Sequence, residues 1–239
     1  MTLLAFHNDP KIKQKFLRRV RAHKRADAFM QGIYFEKHVS NKMIGCAIGC
    51  TLELDPDANM IAISTGPYSV IHGQYESQLG IPAQLAMIED CVFEALSLPY
   101  LLDWPEEFLM NINVGADLSE ALREIMMWLV EDPIFGLKTT VSVDELTHTL
   151  DPGLLKFDFY LSKVLCSEID ETTYHTIRNL LKTATKYFVA DTSNSCKQNR
   201  NSQIFMEAFC EHILTVLINT KRSKECLKTK PKLTNKKKR

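Results

Sequence analysis

Turn formers are scarce in this chain. Glycine and proline together supply only 18 of 239 residues, too few for the closely spaced turns of a many-stranded sheet, so the composition leans toward helices. An excess of one charge sign is also lacking, with 29 Lys and Arg against 29 Asp and Glu, which excludes a chain that is basic throughout. Long apolar runs are missing: the most apolar window, 43–54, holds twelve residues, well short of the ~20 that a spanning helix needs. The apolar start from Met1 to Phe6 is too short for a signal peptide. The seven cysteines, Cys46, Cys50, Cys91, Cys166, Cys196, Cys210 and Cys226, are odd in number and have no framework spacing. Reduced thiols, no transmembrane segment and a cytoplasmic location are the expectation. No G-x-S-x-G elbow, Walker loop, G-x-G-x-x-G fingerprint or H-E-x-x-H helix occurs, which removes the commonest hydrolase, nucleotide and zincin readings.

What is present suits one globular unit. The length supports one sizeable core, and 45% hydrophobic with 24% charged residues is ordinary soluble-protein usage. The neutral total hides a segregation of charge. Eight basic residues and no acid lie between Lys11 and Arg25, and ten basic residues face only Glu225 from Lys221 to Arg239. Between Asp27 and Thr220, 11 basic residues stand against 27 acidic ones, a net charge of −16. An acidic body therefore carries a basic first helix and a basic tail. The tail has almost no apolar residues and is expected to be disordered over 222–239.

Periodicity predicts mainly helices. Asp9 as cap, Pro10 at the first helical position and Ile12, Phe16, Val20, Ala26 and Phe29 at helical spacing predict a helix over 10–30. Residues 43–54 alternate apolar and small residues at a period of two, which reads as a strand; Asp55–Asn59 then reads as a turn and Met60–Ser64 as a second strand, a small β-hairpin over 43–64. A helix grouping Met43, Cys46, Ala47 and Cys50 on one face is the alternative, at the cost of two interior glycines. Pro82 opens a helix whose stripe is Leu85, Ile88, Val92 and Leu96, with Asp90 and Glu94 on the opposite face and Glu89 beside the stripe. Trp104-Pro105 starts a short helix, and Asp117 with Glu120 resembles a capping box for the next, which Asp132-Pro133 stops. Further helices are expected over 143–149, 154–166, 170–189 and 201–221, with a polar loop from Asp191 to Asn201. The fold class is all-α, divided into an N-terminal helical domain over 1–140, a C-terminal helical region over 141–221 and the tail.

Few constellations carry chemistry. Cys46 and Cys50 can share a metal on a helix, where residues four apart sit about 6 Å apart, but not on a strand, where they lie roughly 13 Å apart. His72 and Cys91 would complete a zinc set only through tertiary arrangement. Buried, unligated thiols are the expectation, with no metal and no cofactor. Glu145 and His148 have the E-x-x-H spacing of di-iron bundles, without the second copy that such a site requires. Glu207 with Glu211 and His212, and Glu171 with His175, read as ordinary helical neighbours. His72 and Glu76, four apart in the run His72-Gly73-Gln74-Tyr75-Glu76, read as a structural pair.

At that run the chain resembles a family of uncharacterised bacterial and phage proteins. The residues that carry the resemblance are His7–Pro10, Arg19–His23, Gly45-Cys46-Ala47-Ile48-Gly49-Cys50-Thr51, Tyr75-Glu76-x-x-Leu79-Gly80-Ile81-Pro82, Glu89-Asp90, Phe93-Glu94-x-Leu96, Trp104-Pro105-Glu106-x-Phe108-Leu109 and Val114–Leu118. They cover roughly 5–135 in order. The resemblance implies a shared N-terminal domain and carries over no activity; a longer insert over 52–71 departs from it.

The function expected from the sequence is a non-enzymatic binding or adaptor protein with a protein partner, or with a polyanion such as nucleic acid or anionic lipid held by Arg18, Arg19, Arg21, Lys24 and Arg25 at the basic ends. The alternative is an enzyme or metal-binding protein with its site around Cys46, Cys50, His72, Tyr75 and Glu76.

Overall fold

A computed structural model of the chain describes residues 3–53, 68–137, 171–189 and 195–221. Eight helices account for most of it: α1 (Pro10–Arg25), α2 (Ala47–Leu52), α3 (Tyr68–Leu79), α4 (Ala83–Ala95), α5 (Tyr100–Asn111), α6 (Ser119–Glu131), α7 (Glu171–Val189) and α8 (Ser195–Ile218). The sheet structure is one antiparallel pair, β1 (Phe35–Lys37) and β2 (Met43–Gly45), with Glu36 opposite Ile44. The all-α reading with a small hairpin holds. Among the described residues no helix is long and apolar enough to cross a membrane.

The hairpin lies upstream of its expected place. Met43 pairs backward with Lys37, and after Gly45 the chain turns helical with Cys46 as the N-cap residue of α2. Close approach decides between the two readings of 43–54. A Cβ at Gly49 would sit 1.5 Å from the carbonyl oxygen of Tyr34, so the one glycine inside α2, which would weaken the helix in isolation, lets it lie against the backbone just before β1, and its burial on all sides overrides propensity. The expected second strand at 60–64 lies outside the described residues, as do the helices expected over 143–149 and 154–166, Glu145 with His148, and the tail.

Element ends differ for local reasons. Asp9 caps α1 by accepting from the Lys11 amide at 2.8 Å, but α1 stops at Arg25, where Asp27 takes a left-handed φ of 52° and turns the chain so that Phe29 bridges to Gly45. Asp117 accepts from the Ser119 amide and hydroxyl at 3.1 and 2.8 Å instead of completing a box with Glu120. Trp104-Pro105 lies inside α5, one turn after its start at Tyr100. Helix α8 begins at Ser195 instead of 201, because the polar stretch before Asn201 contains no glycine or proline to stop it.

α4 is the axis of the fold. It packs against α2, α3, α5, α7 and α8, and residues from Ala5 to Leu217 join one apolar core around it. At the far side α6 and α8 meet through an aromatic stack, with Trp128 lying 5.1 Å from the His212 ring and 5.4 Å from the Phe209 ring in near-parallel planes. Asn113 ties down the end of α8, donating to the carbonyls of Ile218 and Thr220 at 3.0 Å each.

Candidate metal centre

Three elements bring polar side chains into the core beside α4. The N-terminus of α2 presents Cys46, 1% exposed. One turn on, Cys50 faces elsewhere: its thiol donates to the Gly45 carbonyl at 3.4 Å, and burial pushes it up to about 12. From α3 come His72 and Tyr75, both fully buried. Glu76 does not serve as a partner for His72; its carboxylate accepts from the Ala83 amide at 3.1 Å and so holds the first turn of α4. Instead the His72 Nε2 lies 3.2 Å from Asp90 Oδ2.

The acids of α4 are where the sequence reading needs correction. Asp90 is 3% exposed and Glu89 is fully buried, although Asp90 lies on the face opposite the apolar stripe. The helix is surrounded on every side, so it has no solvent face along this stretch. Glu94, one turn on, reaches the surface, and the Gly32 amide donates to both its oxygens at 3.1 and 2.8 Å. Gly32 takes a φ of +78° in the turn that aims this amide. Gln31 beside it donates to the carbonyls of Phe93 and Leu96 at 2.8 and 2.9 Å, closing the C-terminal end of α4.

Cys46 Sγ, a carboxylate oxygen of Asp90 and one of Glu94 lie within 4.8 Å of one another. In a tetrahedral zinc site neighbouring donors are about 3.3–3.7 Å apart, from Zn–S near 2.3 Å and Zn–O or Zn–N near 2.0 Å. Side-chain adjustments of about 1 Å would bring the three to that spacing, and His72 stands outside the group, its Nε2 within hydrogen-bond distance of Asp90 Oδ2 at 3.2 Å. Burial, then the Asp90 charge, push the Cys46 thiol well above its usual range. Burial raises Glu94 to about 7, against the pull of the Gly32 amide. Asp90 Oδ1 is buried with no hydrogen-bond partner.

No family model, curated protein or solved structure matches this chain.

What the cluster can do follows from its own atoms. A thiol and two carboxylates form a mixed soft and hard donor set that suits zinc and its neighbours among the divalent transition metals. A divalent ion would relieve what burial penalises here, namely a thiolate and two carboxylates crowded together. Deeper in the core, Glu89, Tyr75 and Thr51 adjoin it, and none of Tyr75 Oη, Thr51 Oγ1 or the two Glu89 oxygens has a hydrogen-bond partner. Burial holds Glu89 well above the usual carboxylate range. Cys91 takes no part in the cluster; it sits half-buried on α4, where burial raises its thiol and the charges of Arg178 and Lys182 oppose the shift.

The basic candidates of α1 divide into two sets. Arg19 pairs with Glu53 at 2.9 Å and donates to the Leu52 carbonyl at 3.0 Å. Arg21 pairs with Glu106 at 2.7 Å, and Lys24 pairs with Asp103 and Glu106. Arg18 and Arg25 are exposed and, among the described residues, form no ion pair.

Proposed function

We propose that the protein is a metalloprotein that binds one zinc-class divalent ion through Cys46, Asp90 and Glu94, with His72 orienting the Asp90 carboxylate, and that the ion ties α2 to α4. The observation that carries this reading is the convergence of three donors within 4.8 Å of one another, one of them on a buried carboxylate with an unpartnered oxygen. Three protein donors leave the fourth position of a tetrahedral shell to water. Glu94 at the surface gives the ion its way in.

Element analysis of the protein, purified without chelator, is expected to give one equivalent of zinc or a neighbouring metal per chain. Asp90→Asn and Cys46→Ser should lose it; Cys50→Ser should keep it. Adding zinc at about 100 times the dissociation constant should raise stability by about 2.7 kcal/mol. A metal-free protein whose melting temperature does not respond to zinc would sink the proposal.

A further inference from the structure

We propose that the groove between α5 and α8 is a docking surface for a basic amphipathic helix of a partner protein. The surface is independent of the metal centre. Helices α5 and α8 pack side by side, and they run in the same direction. Tyr100, at the start of α5, lies beside Glu207, whose charge raises its hydroxyl. Asn113, just past the end of α5, holds the Ile218 and Thr220 carbonyls at the end of α8. One side of α5 is given to the core through Leu101, Trp104, Phe108 and Leu109. Asp103 and Glu106 turn toward α1, where they pair with Lys24 and Arg21. At about 100° per residue, Tyr100 and Glu107 fall on the other flank, the one toward α8.

The lining joins open apolar surface to unpaired acid. Tyr100, Met110, Ile204 and Ile218 are 46, 48, 42 and 56% exposed, four large apolar side chains on two adjacent helices. Cys210 and Leu214 lie half-buried between the helices. Among them stand Glu107, Glu207 and Glu211, none of which forms an ion pair among the described residues. Burial, then the charges of Glu107 and Glu207, push the Cys210 thiol up, so acids of both helices surround the floor of the groove. Neither 100–111 nor 201–220 contains a Lys or Arg that could neutralise them.

Charge complementarity names the occupant. A helix laid in a groove anchors apolar residues at i, i+3, i+4 and i+7 and meets the rim with its polar residues. At 1.5 Å per residue, the stretch from Ile204 to Ile218 runs about 21 Å, which is about four turns of such a helix. The acidic rim then asks for Lys or Arg beside the anchors. A second copy presenting the same face would set acid against acid, a juxtaposition that costs affinity. An anionic lipid surface is repelled for the same reason.

The test is fluorescence anisotropy of the full chain with a labelled synthetic peptide of about 18 residues, with Leu at i, i+3, i+4 and i+7 and Lys elsewhere. The same peptide with Glu in place of Lys is the control. The Lys peptide should bind and gain helicity by circular dichroism, and the Glu peptide should not bind. Tyr100→Ala and Ile218→Asp should each weaken binding by about 10-fold or more. Glu211→Lys should weaken it too and reduce the loss of affinity between about 50 and 500 mM salt. Glu36→Lys in β1, the same charge change away from the groove, should leave affinity unchanged. Circular dichroism of each variant checks that it is folded. Equal binding of the two peptides, no binding of the Lys peptide at low salt, or affinity that survives Tyr100→Ala, Ile218→Asp and Glu211→Lys alike would overturn the proposal. So would a dimer of the chain, seen by sedimentation, that Ile218→Asp dissociates, because a second copy would then hold the groove.

Discussion

A Cβ added at Gly49 would lie 1.5 Å from the Tyr34 carbonyl oxygen and 2.5 Å from its carbon, and neither backbone atom can give way without moving β1. Gly49→Ala should therefore cost about 3 kcal/mol or more in urea unfolding, at the severe end for a single methyl, and should displace Cys46 enough to lower metal content. The two cysteines of the same segment should behave differently. Cys50→Ala removes a buried sulfur and should cost about 1 kcal/mol whether or not zinc is present, whereas Cys46→Ala should in addition abolish the zinc-dependent rise in melting temperature. Equal responses of the two variants to zinc would contradict the assignment of Cys46 alone as ligand. At this scale the sequence pointed to some of the residues that the fold buries beside α4. Cys46, His72 and Tyr75 stood out because they are rare polar types in an apolar run, and all three prove to be buried around α4. Cys50 and Glu76 stood out equally but are occupied by a carbonyl and a helix end, a distinction that needs coordinates. The helical wheel sets Asp90 and Glu94 opposite the apolar stripe; Glu94 is exposed there, but Asp90 is buried, because a wheel reports which residues share a side and not what packs on each side. One signal was there to find: α4 carries three carboxylates and no Lys or Arg, which an exposed helical face seldom does.

The helices themselves were mostly legible as elements, since caps and period-3.6 stripes are local properties. α1, α4, α6 and α7 begin within two residues of where Pro10, Pro82, Asp117 and the apolar periodicity place them. The hairpin was displaced because strand pairing is not local: Met43–Gly45 finds its partner upstream in Phe35–Lys37, a stretch with no strong alternation of its own. One interface between elements makes a pH prediction. Burial against Trp128 lowers the pKa of His212, with nearby Glu124 and Asp132 opposing the shift, and its Nε2 is buried without a partner. A histidine with a depressed folded pKa takes up its proton more readily when unfolded. Its penalty is therefore absent above about pH 6.5 and grows as pH falls below the unfolded value. In the presence of chelator, the stability difference between the wild type and His212→Phe should shift in favour of the variant between pH 7.5 and 5. A difference independent of pH would show that the imidazole titrates alike in the folded and unfolded chain, against the burial argument.

For the molecule as a whole, the charge segregation was fully visible in composition along the chain, but which bases remain available was not, because Glu53, Asp103 and Glu106 reach α1 only through tertiary packing. Removing 222–239 takes away nine bases and one acid, so the formal net charge goes from 0 to −8 and the truncated protein should bind anion exchangers more tightly at neutral pH while its melting temperature changes little, the lost segment being poor in apolar residues. A large loss of stability would mean that this segment docks on the body. The fold also distributes its two tryptophans in a way that an experimenter can use. Trp104 donates its indole N–H to the Glu89 carbonyl at 3.0 Å, immediately next to Asp90, while Trp128 lies face to face with the imidazole of His212. An imidazolium in stacking contact quenches indole emission, and a divalent ion at Asp90 changes the field across the other ring. Intrinsic fluorescence is thus a two-channel signal, one lamp at each end of the core, and Trp104→Phe or Trp128→Phe leaves a single lamp reporting metal binding or histidine protonation by itself.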